Sequence, residues 1–551
     1  MGSRYIVSIE TVKIKNFLFS TNKLKVIRGA SYLLDVLNQI KVKEILCGSP
    51  YNLKEDEDII YIGAGNAKFF VDDFDTMQNI IRDIKNIYKL EAPGAHIAAA
   101  YTKTNYKAVE KDPKHTNKVW DDIDELGKLI AIEKNKGFPT LNIDMPFFEK
   151  CEFCSTNPAQ VNIDSLKEDI CNIKGSLLEN NIDKLSAILD KTDYTQGFIC
   201  EECLKKINAG TYIKEKNASI GFYKYLSDRG ISPVYASSID DYGNNKNFIG
   251  FMYSDGDGLG DFLKNVADNY KNMENGEEEY LKFLKNFSIT LDNNTKEAMK
   301  IAMDTVFIKE NRPVKGEFLI VGGDDVCAVF EAELVLEISR IFQTEFEVLM
   351  KEYTKPILGD KPRITSSCGV IIAKAKTPIY QLFDQAMVLQ KKAKAKRYDF
   401  KKKYPDATET GFIDFEVIGS EGCVDITRFR DSISTPDNQF LERPYSIKDL
   451  KLTDIKPISS LFEIITELKK QKFPKNKLLY IYELKRADKK EFEKKMDIVD
   501  TISKMDEIHI KTLAEYFDLN VDDYKNFNHM FTNIFDILEI YDFVRGDNNE
   551  N

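Results

Sequence analysis

The amino-acid sequence predicts an α+β protein in which one β-α-β-β-α-β unit occurs twice. Two glycine-rich turns support this prediction, because each joins two short apolar segments in the manner of a β-hairpin. The turns are Gly63-Ala64-Gly65-Asn66 and Gly322-Gly323-Asp324-Asp325. Each hairpin follows a strand-like run and a helical segment, and each precedes another helical segment and an apolar strand. This order is the ferredoxin-like plan of palm domains, so we expect two palms, of which only the second has an acidic turn.

The rest of the chain divides where its pattern changes. A length of 551 residues is too great for one core and indicates about three or four domains. Two Cys-x-x-Cys pairs lie between the palms, and apolar residues at helical spacing, such as Ile458, Leu461 and Ile465, follow the second palm. The predicted domains are a first palm at 1–145, a zinc-binding helical domain at 146–218, a second palm at 219–440 and a C-terminal α-helical domain at 441–551.

The charge and hydropathy of the chain limit where it acts and what it binds. Its formal net charge of -11 repels a phosphate backbone, so any nucleic acid must be held by local basic patches or by partner subunits. No stretch approaches the ~20 apolar residues of a membrane helix, and the N-terminus lacks the pattern of a signal peptide. We therefore expect a cytoplasmic protein that has no membrane partner and keeps its cysteines reduced.

Four aspartates of the second palm form the central motif of the sequence. Asp255 and Asp257 lie in the run SDGDGLG, which ends an apolar strand and opens a helix, while Asp324 and Asp325 form the acidic turn. An EF-hand loop is excluded, because Leu259 stands where a third oxygen ligand belongs. The two motifs would meet at one edge of the sheet, and Mg²⁺ or Mn²⁺ prefers such carboxylate oxygens. We expect Asp255, Asp257 and Asp324 to hold two metal ions, and Asp324 and Asp325 to be the catalytic carboxylates.

Small and basic residues around these acids are candidates for binding a nucleotide. Glycines let a phosphate approach backbone N–H groups, and a lysine on the helix behind the site would place an ammonium group near a triphosphate. Alternatives remain open: an isolated acidic turn is an ordinary hairpin, the lysine could complement its helix dipole, and a serine could serve packing. The predicted nucleotide-binding residues are Ser254, Gly256, Gly258, Gly322, Gly323, Ser367 and Lys394.

The paired cysteines predict a second, separate metal site. Cys151 and Cys154 form one pair, and Cys200 and Cys203 form the other. Four thiolates bind Zn²⁺ tetrahedrally and leave no open coordination position, so we expect a structural zinc ion. The long gap between the pairs predicts a helical insertion within the zinc ribbon.

The sequence resembles the large subunits of type III CRISPR effector complexes, the Csm/Cmr polymerase-cyclase family, and looks closest to the Cmr branch. The resemblance spans nearly the whole chain and is specific, because several motifs occur together. The segments that carry it are Arg28–Leu34, Cys151–Ala159, Ser254–Gly260, Gly322–Asp325, Ser367–Ala373, the helix end at Ala393–Lys394, and Arg443–Tyr445.

The resemblance implies an enzyme that joins ATP-derived adenylates into cyclic oligoadenylate second messengers when its complex binds target RNA. Some relatives instead join AMP to another small acceptor. The 3′-hydroxyl of one ATP would attack the α-phosphate of another, and pyrophosphate would leave. The implied partners are ATP, the other subunits of the complex, and guide RNA and target RNA held through the complex. The first palm, whose turn lacks acids, would be catalytically silent and would help to bind the second nucleotide.

The resemblance also implies an N-terminal HD nuclease domain, which we expect to be missing here. The first predicted strand begins at Tyr5, and none of the 4 histidines is followed by an aspartate.

Two other functions remain open on the sequence. A diguanylate cyclase-like enzyme shares the palm and the Gly-Gly-Asp turn, but such enzymes pair two single-palm chains. A structural subunit of an RNA-guided complex would use its palm only as a switch, and the intact acids argue against it.

Overall fold

The computed structural model shows two sheets, a small ribbon and a C-terminal group of helices. It describes residues 3–63, 65–136, 148–163, 197–214, 218–234, 236, 238–309, 311–359, 363–419, 425–433, 440–517 and 531–545. In these ranges, no helix combines the length and the apolar composition that crossing a membrane requires.

The first palm is a four-stranded antiparallel sheet with helices packed against it. Its strands are β1 (Arg4–Val12), β2 (Ile59–Gly63), β3 (Asn66–Val71) and β4 (His96–Thr104), arranged in the order β2-β3-β1-β4. The predicted hairpin is formed by β2 and β3, while Ala64 of its turn lies outside the described residues. The helices span Ile14–Leu18, Leu24–Asp35, Val42–Cys47, Phe74–Glu91 and Val119–Asn135, with a π-helical segment at Val36–Lys41.

A cysteine-bearing ribbon follows the first palm. It consists of β5 (Val161–Asn162) and β6 (Phe198–Ile199), which pair antiparallel, and of helix Glu201–Lys214. This helix packs on helix Leu24–Asp35 so closely that a Cβ atom on Gly29 would lie 1.6 Å from the carbonyl oxygen of Lys206. Glycine is therefore required where the two helices cross. The predicted helical insertion falls on residues 164–196, outside the described residues.

The second palm repeats the strand order of the first and extends it. Its strands are β7 (Phe248–Asp257), β8 (Glu317–Gly322), β9 (Asp325–Glu331), β10 (Thr365–Lys374), β11 (Phe412–Ile418) and β12 (Tyr445–Ser446). The sheet order is β12-β11-β10-β7-β9-β8, so the core β10-β7-β9-β8 matches β4-β1-β3-β2. Strand β11 adds to this core by pairing parallel with β10.

Helices cover both faces of the second sheet and form the C-terminal domain. In the second palm they span Gly221–Ser227, Ile239–Tyr242 (3₁₀), Leu259–Tyr270, Gly276–Met303, Asp304–Ile308 (π), Val335–Leu358, Ile379–Lys403 and Ile426–Ile433. In the C-terminal domain they span Ile458–Lys470, Lys475–Arg486, Glu491–Ser503, Glu507–Tyr516, Ile534–Ile540 and Tyr541–Phe543 (3₁₀). The predicted fold class is confirmed.

The two palms share one apolar core and are joined by a buried ion pair. Ile27 and Phe69 of the first palm belong to the same buried cluster as Phe251 of the second. The guanidinium of Arg28 lies 2.6 Å from the carboxylate of Glu317, and both side chains are almost fully buried. Burial of this pair at the base of β8 ties the first palm to the hairpin that bears the acidic turn.

Candidate active site

The register of the second sheet brings the two acidic motifs together. Strand β7 lies between β9 and β10, and it places Asp255 opposite Ser367 of β10. Gly322 pairs with Asp325 across the hairpin turn. A Cβ atom on Gly256 would lie 2.7 Å from the Cβ atom of Asp324, so the absence of a side chain lets the turn approach the end of β7.

Lys394 lies within this group of carboxylates. Its Nζ atom is 2.5 Å from Oδ2 of Asp255 and 3.4 Å from Oδ1 of Asp257, and it donates a hydrogen bond of 3.0 Å to the carbonyl oxygen of Gly256. The helix that carries Lys394 continues to Lys403, beyond the end that the sequence pattern indicated. A single ammonium group therefore lies beside two carboxylates and partly neutralises the charge of both.

Asp257 is the most enclosed of the four acids. Its side chain has no exposed area, and the hydroxyl of Ser367 donates a 2.5 Å hydrogen bond to Oδ2. The guanidinium of Arg397 lies 3.9 Å from the same oxygen, and Oδ1 accepts no hydrogen bond from the described residues although the ammonium of Lys394 lies 3.4 Å away. Burial raises the pKa of Asp257, since water cannot solvate its charge. Oδ1 is therefore a buried acceptor suited to a cation.

Burial and neighbouring acids make it costly for the two acids of the turn to be charged. Burial, together with the charge of Asp255, raises the pKa of Asp324 to about 6. Burial and the charge of Asp324 likewise raise the pKa of Asp325, although the hydroxyl of Tyr253 donates a 3.1 Å hydrogen bond to its Oδ1. Crowded carboxylates of this kind are the donor set that Mg²⁺ and Mn²⁺ prefer, so the site fits a divalent metal ion.

The predicted nucleotide-binding serines have other partners in this structure. Ser254 is fully buried, and its hydroxyl lies 3.4 Å from the carbonyl oxygen of Ser367. Ser367 is also fully buried and bonds Asp257. Their contact with a nucleotide stays a prediction, and the geometry gives Ser367 the further role of orienting Asp257.

Backbone geometry accounts for the predicted glycines. Gly258 precedes helix Leu259–Tyr270 with φ +81°, and a Cβ atom there would lie 2.7 Å from the carbonyl oxygen of Arg363. Gly323 has φ +60°, and a Cβ atom on Gly322 would lie 2.8 Å from Oδ1 of Asp292. Gly258 and Gly323 therefore adopt backbone conformations that favour glycine, while Gly322 lies against the side chain of Asp292. Contact of these glycines with phosphate stays a prediction.

Sequence reasoning missed several residues that touch the site. Gln390 donates a 3.2 Å hydrogen bond to Asp255, and Tyr253 bonds Asp325. Asp292 and Thr295 contact the backbone of Gly323. Gln390 lies one helical turn before Lys394, which is the signal that would have found it.

The first palm retains part of the same arrangement. In the first palm the turn pairs Gly63 with Asn66, just as Gly322 pairs with Asp325 in the second palm. When the paired residues of the two sheets are matched one by one, Glu10 of β1 occupies the position that Asp255 has in β7. Glu10 forms an ion pair with Lys134 of helix Val119–Asn135, as Asp255 does with Lys394. Val12 and Gly65 stand at the positions equivalent to Asp257 and Asp324, so the lysine–carboxylate pair is kept and those two acids are absent.

The four predicted zinc ligands lie together in the ribbon. The sulfur atoms of the cysteines are all buried and within 4.8 Å of one another, with Cys154 and Cys200 3.9 Å apart. Tetrahedral Zn²⁺ with bonds of ~2.3 Å requires sulfurs about 3.8 Å apart, so the cluster fits zinc. The other two members are Cys151 and Cys203.

These features define a protein with two palm domains, an acidic site in the second palm and a separate thiolate cluster. Residues 248–402 match the family model described as Cas10/Cmr2, second palm domain. No curated protein sequence matches the chain. The second palm is therefore similar to the second palm domain of Cas10/Cmr2 proteins.

The fold of the whole chain is similar to that of solved Csm1 structures. Csm1 of T. onnurineus gives a TM-score of 0.53 at 14% identity, with 98% of this chain and 70% of that chain covered. The Csm1-Csm4 cassette in complex with cA4 gives 0.52 at 12% identity, with the same coverage. The cassette in complex with AMPPNP gives 0.51 at 12% identity and covers 98% and 69%. Membership of the Cmr branch and the lack of an HD domain stay predictions.

Proposed function

We propose that this chain is a nucleotidyltransferase that joins ATP-derived adenylates into a second messenger, either a cyclic oligoadenylate or an AMP conjugate. The observation that carries the proposal is that the acidic turn with Asp324 meets the end of β7, where the ammonium of Lys394 contacts Asp255. The similar Csm1-Csm4 cassette was solved with AMPPNP and with cA4, which supports an adenine nucleotide as the ligand.

Asp255, Asp257 and Asp324 would hold two Mg²⁺ or Mn²⁺ ions, with Asp325 beside them. Such ions acidify an attacking hydroxyl and neutralise the charge on departing pyrophosphate. In the reaction, the 3′-oxygen of one ATP bonds to the α-phosphorus of another, and the bond from that phosphorus to the β-phosphate oxygen breaks. The protein holds the two reactants in line, which supplies much of the rate.

Lys394 has two roles in this proposal. Without nucleotide it neutralises Asp255 and Asp257, which keeps the buried acids compatible with the fold. With those carboxylates occupied by cations, its ammonium is free to bind the triphosphate.

The first palm would bind the second nucleotide. Its Glu10–Lys134 pair offers the same ammonium at the equivalent position, and Val12 and Gly65 in place of two acids explain why this half would not catalyse. The zinc ribbon would be structural, and the remaining subunits of a type III complex would hold guide RNA and target RNA. This distribution suits a chain with a net charge of -11.

The test is incubation of the RNA-loaded complex with radiolabelled ATP and Mg²⁺ or Mn²⁺, with products resolved by mass. We expect an oligoadenylate or an adenylated conjugate, and no product from the Asp324→Ala/Asp325→Ala variant. The matched control is Asp240→Ala/Asp241→Ala, an adjacent pair of exposed aspartates, which should leave the product unchanged. Product from GTP instead would indicate a diguanylate cyclase-like enzyme, and no product from either nucleotide would leave the palm as a scaffold.

A further inference from the structure

The turn that carries Asp324 is held from outside the sheet by helix Gly276–Met303. We infer that Asp292 and Thr295 of this helix are positioning residues, which fix the acidic turn so that its carboxylates can bind metal and act on nucleotide. The inference rests on the proposed function, because it assigns these two residues a part in the same site.

The two side chains clamp one residue of the turn. Oδ1 of Asp292 accepts a 3.0 Å hydrogen bond from the backbone N–H of Gly323, and the hydroxyl of Thr295 lies 2.5 Å from the carbonyl oxygen of Gly323. Residues three apart on a helix lie on the same face, so one helix reaches both sides of this glycine. Since Asp324 follows Gly323 directly in the chain, the clamp formed by these two contacts fixes the position of the Asp324 backbone.

The clamp is itself held in place. The Nζ atom of Lys296 lies 2.5 Å from Oδ2 of Asp292, which leaves Oδ1 for the turn. Thr295 is fully buried, and its hydroxyl is also 2.9 Å from the carbonyl oxygen of Leu291. Asp292 is therefore oriented by two partners, whereas the single hydroxyl hydrogen of Thr295 is shared between the carbonyl oxygens of Leu291 and Gly323. Both side chains lie beside the turn before any ligand arrives, which is the condition for a preorganised site.

The turn needs such support for two reasons. Gly322 and Gly323 give the backbone more freedom than any other residue pair, so the turn has little stiffness of its own. Asp324 also lies close enough to Asp255 for their like charges to oppose each other, which favours displacement of the turn from the end of β7. A charged acceptor and a hydroxyl bonded to the backbone oppose that displacement.

The same helix extends to the first palm. A Cβ atom on Gly63 would lie 3.8 Å from the hydroxyl oxygen of Ser288, one helical turn before Asp292. Helix Gly276–Met303 thus contacts the turn of each palm and fixes the distance between them. The clamp therefore positions the catalytic turn relative to the half-site where the second nucleotide would bind.

The test compares Thr295→Val, Thr295→Ser and the control Thr344→Val in the full chain. Thr344 also bonds the carbonyl oxygen four residues earlier in its own helix, at 2.8 Å, and no contact between Thr344 and the acidic turn is described. Mn²⁺ affinity is measured by electron paramagnetic resonance in the presence of α,β-methylene-ATP, with melting temperatures alongside. We expect Thr295→Val to weaken Mn²⁺ binding about tenfold, Thr295→Ser to restore it, and Thr344→Val to leave it unchanged.

Each outcome separates the inference from the proposed function. If the wild type shows no nucleotide-dependent Mn²⁺ site, either as the chain alone or in the RNA-loaded complex, the proposed function fails at that point. If the wild type binds Mn²⁺ and loses it on Asp324→Ala, but Thr295→Val binds normally, the clamp has no positioning role. Equal loss in Thr295→Val and Thr344→Val, or no rescue by serine, would also overturn it. Should Thr295→Val not fold, Asp292→Asn should weaken Mn²⁺ binding a few-fold, because a neutral amide oxygen is the weaker acceptor.

Discussion

At the scale of single residues, the surroundings of Lys394 bear most directly on the candidate site. Its ammonium contacts two carboxylates and one carbonyl oxygen within 3.4 Å, all at the end of β7. A surface lysine that only complemented its helix dipole would have no such set of contacts. The geometry therefore argues against the helix-dipole alternative that the sequence left open, and contact of Lys394 with a phosphate stays a prediction.

For Lys394→Ala we expect product formation in the complex to fall about tenfold or more. A hydrogen bond to a charged group contributes about 1.5–3 kcal/mol, and tenfold corresponds to about 1.4 kcal/mol. Steady-state rates at several ATP concentrations would measure the loss. The control is Lys402→Ala, an exposed lysine on the same helix, and equal rates for the two variants would refute the role.

Several site residues could be identified from the sequence, and others could not. The carboxylates stood out because glycines interrupt an apolar run at Asp255 and Asp257, and because a Gly-Gly-Asp-Asp turn is distinctive. Asp292 and Thr295 gave no signal, because polar residues recurring along a helix look like a solvated face. Only the packing of that helix on the turn shows that this face is partly buried.

At the scale of elements, the ends of strands and helices depend on pairing that the sequence does not show. Strand β7 continues through Asp257 because each of its last residues pairs with β10, although glycines and acids disfavour strands. Strand β11 was not predicted, since its parallel partner β10 lies far away along the chain and a long helix intervenes.

The crossing of helices Leu24–Asp35 and Glu201–Lys214 gives a prediction for glycine. We expect Gly29→Ala to destabilise the protein by about 1–3 kcal/mol, because the new methyl group would overlap the backbone of Lys206. The control is Gly127→Ala in helix Val119–Asn135, where nothing lies within 4 Å of the added atom. That variant should be more stable by about 0.5–1 kcal/mol. Thermal unfolding of the zinc-loaded chain measures both, and shifts of the same sign would contradict the packing argument.

At the scale of the whole molecule, the two palms meet around the carboxylate of Asp35. A Cβ atom on Gly221 would lie 2.5 Å from its Oδ2. Burial raises the pKa of Asp35 from 3.8 to about 7, with Lys296 opposing the rise and Asp292 adding to it. Between about pH 4 and pH 7 the carboxyl of Asp35 is therefore protonated in the folded state but ionised in the unfolded state. Because ionisation favours the unfolded state, the free energy of unfolding falls as the pH rises from about 4 to about 7.

This linkage predicts the pH dependence of Asp35→Asn. An amide cannot ionise, so we expect the variant to be more stable than the wild type at pH 8 by about 1–2 kcal/mol. We expect this gain in stability to be smaller at pH 5. Denaturant unfolding at both pH values would measure the difference. Asp56→Asn, which alters an exposed carboxylate, should show no such trend, and a gain independent of pH in Asp35→Asn would rule out the raised pKa as its cause.

The presence of both palms in one chain also has a consequence for how the protein responds to dilution. Each palm offers a lysine–carboxylate pair, and a shared apolar core holds the two at a fixed separation. An enzyme built from single palms must first meet a second copy, so its active fraction falls as it becomes scarce. Here both palms belong to one chain, so the effective concentration of one palm relative to the other is set by the fold and does not fall on dilution.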